Sequence, residues 1–337
     1  MAVWPDSHPE VKFGKTGILL INLGTPKGTD YWNMRAYLRQ FLSDTRVIEV
    51  PRLIWLPILY LIILTFRPSK SGRAYAKIWG KNNESPLLTY TRSQAEKLSE
   101  RFASDQVIVD FAMRYGDPAI GDVLQNMKDQ GVDRLLIFPL YPQYSASTTA
   151  TVMDEIFRKL MKMRWQPSLR TVPPFHDDEA YIDALARSVD KYLNDQDFKP
   201  DVIVSSFHGL PVSYFEKGDP YHCHCQKTGR LLQERLGRDT ESFQVTFQSR
   251  FGPQEWLQPY TDKVVTKLGA EQKSVAVVTP GFVSDCVETL EEIAIGVHEE
   301  YEDAGGTSFK TIPCLNSSIE SIDMLEQISR RELSGWL

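Results

Sequence analysis

Val109-Asp110-Phe111-Ala112-Met113-Arg114-Tyr115-Gly116 returns as Val245-Thr246-Phe247-Gln248-Ser249-Arg250-Phe251-Gly252, in near register. Upstream of each copy an apolar run closes in a Gly-x-Pro turn: Leu19 to Leu23 before Gly24-Thr25-Pro26, and Val202 to His208 before Gly209-Leu210-Pro211. Downstream of each, an apolar run ends in proline and then an aromatic, as Pro139-Leu140-Tyr141 and Pro280-Gly281-Phe282. One scaffold is therefore written twice. Short apolar runs closed by turn residues read as buried strands. Strands alternating with helix-period stretches make βαβ units and a parallel sheet. The expected fold class is α/β: two similar doubly wound, Rossmann-like domains with parallel sheets, facing each other across a cleft.

Strands are expected at Gly17–Leu23, Val107–Met113, Arg134–Leu140, Val202–Phe207, Phe243–Gln248 and Ser274–Thr279, with a weaker candidate at Phe309–Cys314. Helical periodicity marks Arg92–Phe102, Ala119–Gln130, Thr149–Met163, Glu179–Leu193, Cys225–Leu236, Pro253–Leu268 and Cys286–Tyr301. Gly24 and Arg114 stand 90 positions apart, whereas Gly209 and Arg250 stand 41 apart, so the first half carries 49 extra residues. The expected division is 14–140 plus 309–337 as one domain, with an apolar lip inserted at about 46–90, and 141–308 as the second. Residues before Gly14 read as a loose tail.

The 337 residues predict about two domains. A net charge of −6 argues against nucleic acid as a partner. Four cysteines make no disulfide framework, and Met1 to Lys15 has no apolar signal core. A cytoplasmic protein is expected. Leu53 to Phe66 is strongly apolar between Arg52 and Arg67. Fourteen helical residues reach about 21 Å, short of a bilayer core of about 30 Å. A buried helix and a surface lip touching a membrane or an apolar ligand both fit better than a span.

Laying one half on the other, His208 falls where the first half has Leu23, and Glu288 where it has Ser147. A histidine and a carboxylate have been gained in one copy only. In an open parallel sheet ligands sit outside the carboxyl ends of the strands. In a 2-1-3-4 strand order, His208 and Glu288 close neighbouring strands there. Glu292 and Glu299 follow Glu288 at helical spacing. Imidazole with carboxylates suits a borderline divalent metal and also proton removal. Structural alternatives stand beside this. His208 fits a turn residue, Asp285-Cys286-Val287-Glu288 has the spacing of a capping box, and Glu292 and Glu299 fit a solvated face. Arg114 and Arg250 fit a shared structural role, while Arg114 also suits a bidentate substrate carboxylate. Tyr141, Tyr144, Phe282 and Trp256 suit either core or the lining of a flat cleft.

Tyr221-His222-Cys223-His224-Cys225 is rich in soft ligands but has C-x-C where a zinc site has C-x-x-C. It reads as an exposed loop before a helix. Gly24-Thr25-Pro26 is no dinucleotide fingerprint, and the chain has no Walker A loop.

These motifs together resemble the ferrochelatase family. The resemblance rests on Leu23 to Pro26, Arg114-Tyr115, Tyr141 to Thr149, Ser206 to Pro211, Gly218 to Tyr221, Gln248 to Arg250 and Gly281 to Glu292, in order along nearly the whole chain. It implies insertion of ferrous iron into protoporphyrin IX, the terminal step of haem biosynthesis, by a lyase that needs no organic cofactor. It implies His208 and Glu288 as the iron-side catalytic pair, and Asp285 and Glu292 as a proton or metal path. Tyr141, Ser145, Arg114, Phe282 and Trp256 would face the porphyrin, with Lys77 or Arg73 near its propionates. The apolar segment 53–66 would form the lip of the cleft, with peripheral contact at the inner face of a membrane. Many relatives carry histidine where this chain has Cys286. Animal members hold a [2Fe–2S] cluster through a C-terminal cysteine-rich extension and a cysteine at the position of Ala146; this chain shows neither, so no such iron–sulfur cluster is expected. Two rivals remain: a chelatase for another tetrapyrrole such as coproporphyrin, and a non-catalytic binder of haem or metal.

Overall fold

The computed structural model describes residues 7–8 and 11–337, so most of the tail expected before Gly14 lies outside the described residues. Among the described residues eight strands form two four-stranded sheets of identical order. The first contains β1 (Lys15–Gly24), β2 (Ile108–Tyr115), β3 (Val132–Pro139) and β4 (Ser168–Thr171), in the order β2-β1-β3-β4. The second contains β5 (Val202–His208), β6 (Phe243–Gln248), β7 (Val275–Val278) and β8 (Phe309–Thr311), in the order β6-β5-β7-β8. Every pairing is parallel. The repeat in the sequence is thus a repeat in topology, with β1 and β5 at equivalent central places.

Ile18, Leu19, Leu20 and Ile21 are fully buried, as a strand covered on both faces by helices requires. One layer, with the helices Ile120–Asp129 and Thr151–Leu160, covers one face of the first sheet. A second layer covers the outer face of the other sheet, with Val265, Leu268, Ile293 and Val297. Between the sheets a single apolar core joins Ile18, Leu136 and Phe138 to Ile203, Ala276 and Val278 through the helices Glu179–Asp195 and Ile319–Glu332.

Two strands change sides relative to the expected boundaries. Ser168–Thr171 lies beyond residue 140 yet pairs with β3. Phe309–Thr311 pairs with β7 in the second sheet, and only the helix after it returns to the first half, where Asp323 meets Arg101. β4 escaped the sequence reading because it is a short edge strand with a polar pattern, as edges often are. The helix expected from Pro253 begins at Thr261 instead; Pro253 and Pro259 lack the N–H donors a helix interior needs.

Helices Tyr31–Leu42 and Pro86–Arg101 flank the inserted segment, and between them runs one continuous helix, Arg52–Ile78. Its 27 residues reach about 40 Å, longer than the fourteen-residue reading and long and apolar enough to cross a membrane. It passes through two prolines. Residues Leu59–Ile63, just after Pro57, are π-helical. Pro68 cannot donate to the Leu64 carbonyl, and the Tyr31 hydroxyl does so in its place at 3.0 Å. The second half of the helix is docked on the protein: Leu64, Pro68 and Gly72 are buried. A β-carbon at Gly72 would come within 2.2 Å of the Thr29 carbonyl oxygen, so only glycine allows this approach. The first half projects a bare apolar face, with Leu53 91%, Leu61 72% and Phe66 72% exposed.

Candidate active site

His208 is the last residue of β5, half-buried at the carboxyl end of the sheet. Its Nδ1 lies 2.7 Å from the Gly209 carbonyl oxygen. A carbonyl only accepts, so Nδ1 carries a proton, and in the neutral ring Nε2 presents the lone pair. β5 pairs His208 with Gln248 of β6. Gln248 Nε2 in turn donates to the backbone carbonyl of Glu288 at 2.9 Å, while Ser206 donates to its Oε1 at 2.8 Å. One glutamine therefore ties the histidine strand to the start of the carboxylate helix.

Glu288 opens a π-helix, Glu288–Val297, after β7. The first half has a π-helical segment at the equivalent place, Ala146–Ala150, which contains Ser147. The repeat thus extends into an uncommon helix type that is often found at functional sites. The capping-box reading of Glu288 fails. The Asp285 backbone N–H donates to Asn316 Oδ1 at 2.8 Å, so it is not available to Glu288. The Asp285 carboxylate is itself consumed: Thr289 Oγ1 reaches it at 2.9 Å, Asn316 Nδ2 at 2.6 Å and the Cys314 N–H at 3.3 Å. Asp285, expected on the path, is buried as a joint between segments.

Glu292 follows Glu288 by one turn and receives both donors of Ser249, N–H to Oε1 at 2.7 Å and Oγ to Oε2 at 2.5 Å. Ser249 manages this because its φ is +65°, a left-handed conformation that side-chain-bearing residues seldom adopt. Burial raises the Glu292 pKa above its ordinary value; the Ser249 bonds and the charge of His208 act against this, and the charge of Glu288 adds to it. His208, Glu288 and Glu292 therefore share one electrostatic neighbourhood. Glu292 also lines a cavity of about 320 Å³ with Glu291, Glu300, Asp262 and Ser249. Glu299, expected in the same row, is exposed on the following helix; the i→i+5 winding of the π-helix spoils the spacing assumed for it.

The opposite wall is aromatic. Tyr37, buried, donates to the Gly24 carbonyl at 3.2 Å and packs on Tyr75 with ring centres 6.5 Å apart. Burial raises the pKa of both, and the charge of Glu288 adds to the rise, which brings the lip and the carboxylate helix to one space. The Tyr141 hydroxyl is buried there with no hydrogen-bond partner. Phe282 is half-buried in the turn after β7.

Arg114 is in a different position. Its guanidinium is held by Thr151 at 2.8 Å and Asp44 at 2.5 Å and lies over the Tyr115 ring at 4.4 Å. It is a buried tether for the base of the insertion, with Nε and Nη2 bonded inside the protein. Arg250, its partner in the repeat, lies beyond the end of β6, exposed and bidentate to Asp262 at 2.8 and 2.7 Å. The two arginines do not share one role, because β2 runs on to Tyr115 and β6 stops at Gln248.

A sequence model of the ferrochelatase family matches residues 15–333. Ferrochelatase from Rhizobium etli (strain CIAT 652) is 60% identical over 336 residues, covering 99% of this chain and 98% of that one. Ferrochelatase from Agrobacterium fabrum (strain C58) is 58% identical over 340 residues, covering 100% and 99%. The chain belongs to the ferrochelatase family. It is thereby an enzyme of the metal-inserting lyase class. Among solved structures, SirB from Bacillus subtilis with Fe3+ superposes with a TM-score of 0.58 at 13% identity, covering 96% of this chain and 98% of that one. The fold is that of the chelatases.

Three further residues of this ferrochelatase-family chain sit away from their expected places. Ser145 is buried and spends its hydroxyl on Asp219 at 3.0 Å. Trp256 is 5% exposed. It packs behind Gly209, and its indole N–H donates to the Phe251 carbonyl at 3.0 Å. Lys77 is paired with Glu291 of the π-helix at 2.8 Å. The histidine–cysteine motif forms the first turns of the helix Tyr221–Arg235, where a loop was expected. In it His224 accepts from the Tyr144 N–H at 3.2 Å and stacks on His176 at 3.6 Å, and Cys225 is buried. Among the described residues no three His, Cys, Asp or Glu side chains gather as a metal cage.

Ser249, Gln248, Tyr37 and Tyr75 are the site residues that sequence reasoning passed over. The Gln248-Ser249-Arg250 motif was visible, but the positive φ that aims Ser249 at Glu292 was not.

Proposed function

We propose that this chain inserts ferrous iron into protoporphyrin IX with release of two pyrrole protons, making protohaem. The observation that carries it is the His208 Nε2 lone pair, freed by the Nδ1 bond to Gly209, within the electrostatic neighbourhood of Glu288 and Glu292 and opposite a wall of tyrosines. The substrate is flat, apolar in its face and protonated at its centre. An aromatic cleft grips the faces, and remote binding energy bends the ring so that nitrogen lone pairs emerge. His208 and Glu288 share the removal of two protons and the reception of Fe2+. Glu292, with its raised pKa, accepts a proton more readily than an ordinary carboxylate and stands between the pair and the outer cavity. That gives protons and hydrated cations a route apart from the mouth. Asp285 is left out of this route, since its carboxylate already accepts from Thr289, Cys314 and Asn316.

The reaction so written consumes no organic cofactor and no iron–sulfur cluster. An anaerobic assay of porphyrin fluorescence with Fe2+ tests it. Iron-dependent, catalytic loss of protoporphyrin fluorescence supports the reading. Stoichiometric binding without turnover supports a carrier, and preference for coproporphyrin moves the substrate.

The lip supports a location. The bare face of Leu53, Leu61 and Phe66, with Arg52, Arg67 and Lys70 beside it, suits shallow contact with an anionic membrane surface. We place the protein in the cytoplasm, peripheral at the inner face of the membrane. Loss of vesicle flotation on Leu53→Ser/Leu61→Ser/Phe66→Ser is the expected outcome; unchanged flotation refutes the contact.

A further inference from the structure

Gln248, the last residue of β6, is buried and holds on to both sides of the His208–Glu288 pair. Its backbone carbonyl accepts the Gly209 N–H at 2.7 Å. The Gly209 carbonyl is in turn the group that faces His208 Nδ1, also at 2.7 Å. This approach requires a glycine, since a β-carbon at Gly209 would stand 2.7 Å from the Gln248 carbonyl oxygen. On the other side, Gln248 Nε2 donates to the Glu288 carbonyl at 2.9 Å. The carbonyl that orients the histidine and the first residue of the carboxylate helix thus share one anchor.

The amide of Gln248 can point only one way. A carbonyl only accepts, so the nitrogen faces Glu288 and the oxygen is left to Ser206, which donates to it at 2.8 Å. A hydroxyl has one proton to give. Ser206 gives its proton to Gln248, so Thr261 must donate to Ser206 at 2.7 Å, and Thr246 to Thr261 at 2.8 Å. The bonds therefore run in one direction, from Thr246 through Thr261, Ser206 and Gln248 to the Glu288 carbonyl. Thr246, Thr261 and Ser206 are fully buried, where an unpaired polar group is costly and a satisfied chain is rigid. Thr261 opens the helix Thr261–Ala270, so the chain joins β5, β6, that helix and the π-helix.

We propose that Gln248 is a positioning residue for metal insertion, with its amide aimed by the hydroxyl chain of Thr246, Thr261 and Ser206. The inference rests on the reading of His208 and Glu288 as the pair that removes protons and receives Fe2+. Gln248 takes no part in the chemistry. It acts on His208 through Gly209, and on Glu288 through the backbone of the π-helix. A displacement of about 1 Å between reacting groups costs on the order of a hundredfold in rate, so an anchor common to both groups has leverage on kcat. The aromatic wall that grips the ring is not attached to this chain, so ring binding is left alone.

The test measures kcat and the protoporphyrin KM under anaerobic Fe2+, with denaturant unfolding of each variant beside them. Gln248→Leu keeps the size of the side chain and removes both of its bonds. It is expected to lower kcat roughly ten- to hundredfold and to leave KM near wild type. Ser206→Ala, which only frees the amide, is expected to cost roughly two- to tenfold. Gln248→Leu/Ser206→Ala should be no slower than Gln248→Leu, because the chain acts only through the amide. Gln248→Glu adds a signature that packing alone would not give. Protonated, it donates to the Glu288 carbonyl and accepts from Ser206; ionised, it sets an oxygen against that carbonyl. Its activity relative to wild type should therefore fall as pH rises. A folded Gln248→Leu with wild-type kcat overturns the proposal, as do losses that multiply in the double variant or a Gln248→Glu ratio that ignores pH. Should Gln248→Leu not fold, Ser206→Ala at wild-type kcat together with a flat Gln248→Glu ratio overturns it. A wild type that inserts no iron refutes the reading of the site itself, and this inference with it.

Discussion

Ser249 gives both of its donors to Glu292, one to each carboxylate oxygen, at 2.7 and 2.5 Å. These bonds hold down a pKa that burial pushes up. Ser249→Ala removes the hydroxyl donor, so the Glu292 pKa rises further. The acidic limb of the pH–rate profile is expected to move to higher pH, with turnover at neutral pH lower by roughly two- to tenfold. An unmoved limb would remove Glu292 from the proton route.

The same residue carries an opposite sign for stability. A carboxyl whose folded pKa exceeds its unfolded value favours the fold below the unfolded pKa and loses that contribution as pH rises through the folded value. Glu292→Gln is therefore expected to hold or gain thermal stability at pH 8 while iron insertion falls. A large loss of Tm at pH 8 would contradict this.

His208→Ala is expected to lower turnover at least a hundredfold, the scale of a positioned acid–base group, with porphyrin binding kept. Glu288→Gln is expected to cost most of the activity and to leave stability within about 0.5 kcal/mol. A capping box would have made that change cost about 1 kcal/mol, but Asp285 gives its N–H to Asn316. Denaturant unfolding of the two variants separates the outcomes.

Arg114 and Asp44 form a buried pair at 2.5 Å, with side chains 7% and 10% exposed. Breaking it with Arg114→Met strands a carboxylate and is expected to cost about 3–5 kcal/mol. Asp44→Asn/Arg114→Met together should recover part of this. Burial alone would raise the Asp44 pKa, but bonds from Thr151, the Arg46 N–H and Tyr115, with the charge of Arg114, hold it below the ordinary value. Its stabilisation is present above the unfolded pKa, about 3.9, and is lost as pH falls through the folded value. Acid unfolding of Asp44→Asn should accordingly begin from a lower stability and show a shallower slope.

His176 stacks on His224 at 3.6 Å. Burial, and then the charge of His224, lower the His176 pKa to about 4. Below the ordinary value of 6.5 the unfolded chain binds the extra proton first, so stability is expected to fall from pH 6.5 toward 4. His176→Phe keeps the stack and should flatten that limb of a Tm-against-pH curve.

The fold was legible because the repeat is chemical as well as textual. Buried parallel strands read as near-continuous apolar runs, and Leu19 to Leu23, broken only by Asn22, and Val202 to Phe207, broken only by Ser205 and Ser206, fit that pattern. β4 was hidden because Ser168 and Arg170 suit an edge and carry no apolar signature. His208 and Glu288 were legible as departures from a duplicated frame. The fates of Arg114 and Ser145 were not, since the residues that occupy them, Asp44 and Asp219, lie far away in sequence. Ser249 was missed for a local reason: a positive φ leaves no trace in the identity of a serine. The long lip helix was cut short in the reading because the apolar run stops at Arg67, and the hydroxyl that carries the helix past Pro68 belongs to Tyr31.

The bond from His208 Nδ1 to the Gly209 carbonyl also bears on metal choice. It leaves one borderline nitrogen donor in the same electrostatic neighbourhood as the hard oxygens of Glu288. Sets of this kind bind divalent ions in the order Fe2+ below Co2+ and Ni2+, with Cu2+ highest and Zn2+ also above iron. The donor atoms by themselves thus favour iron's competitors. The choice of iron then falls to supply, through the concentration of free Fe2+ that the surroundings maintain against zinc and copper.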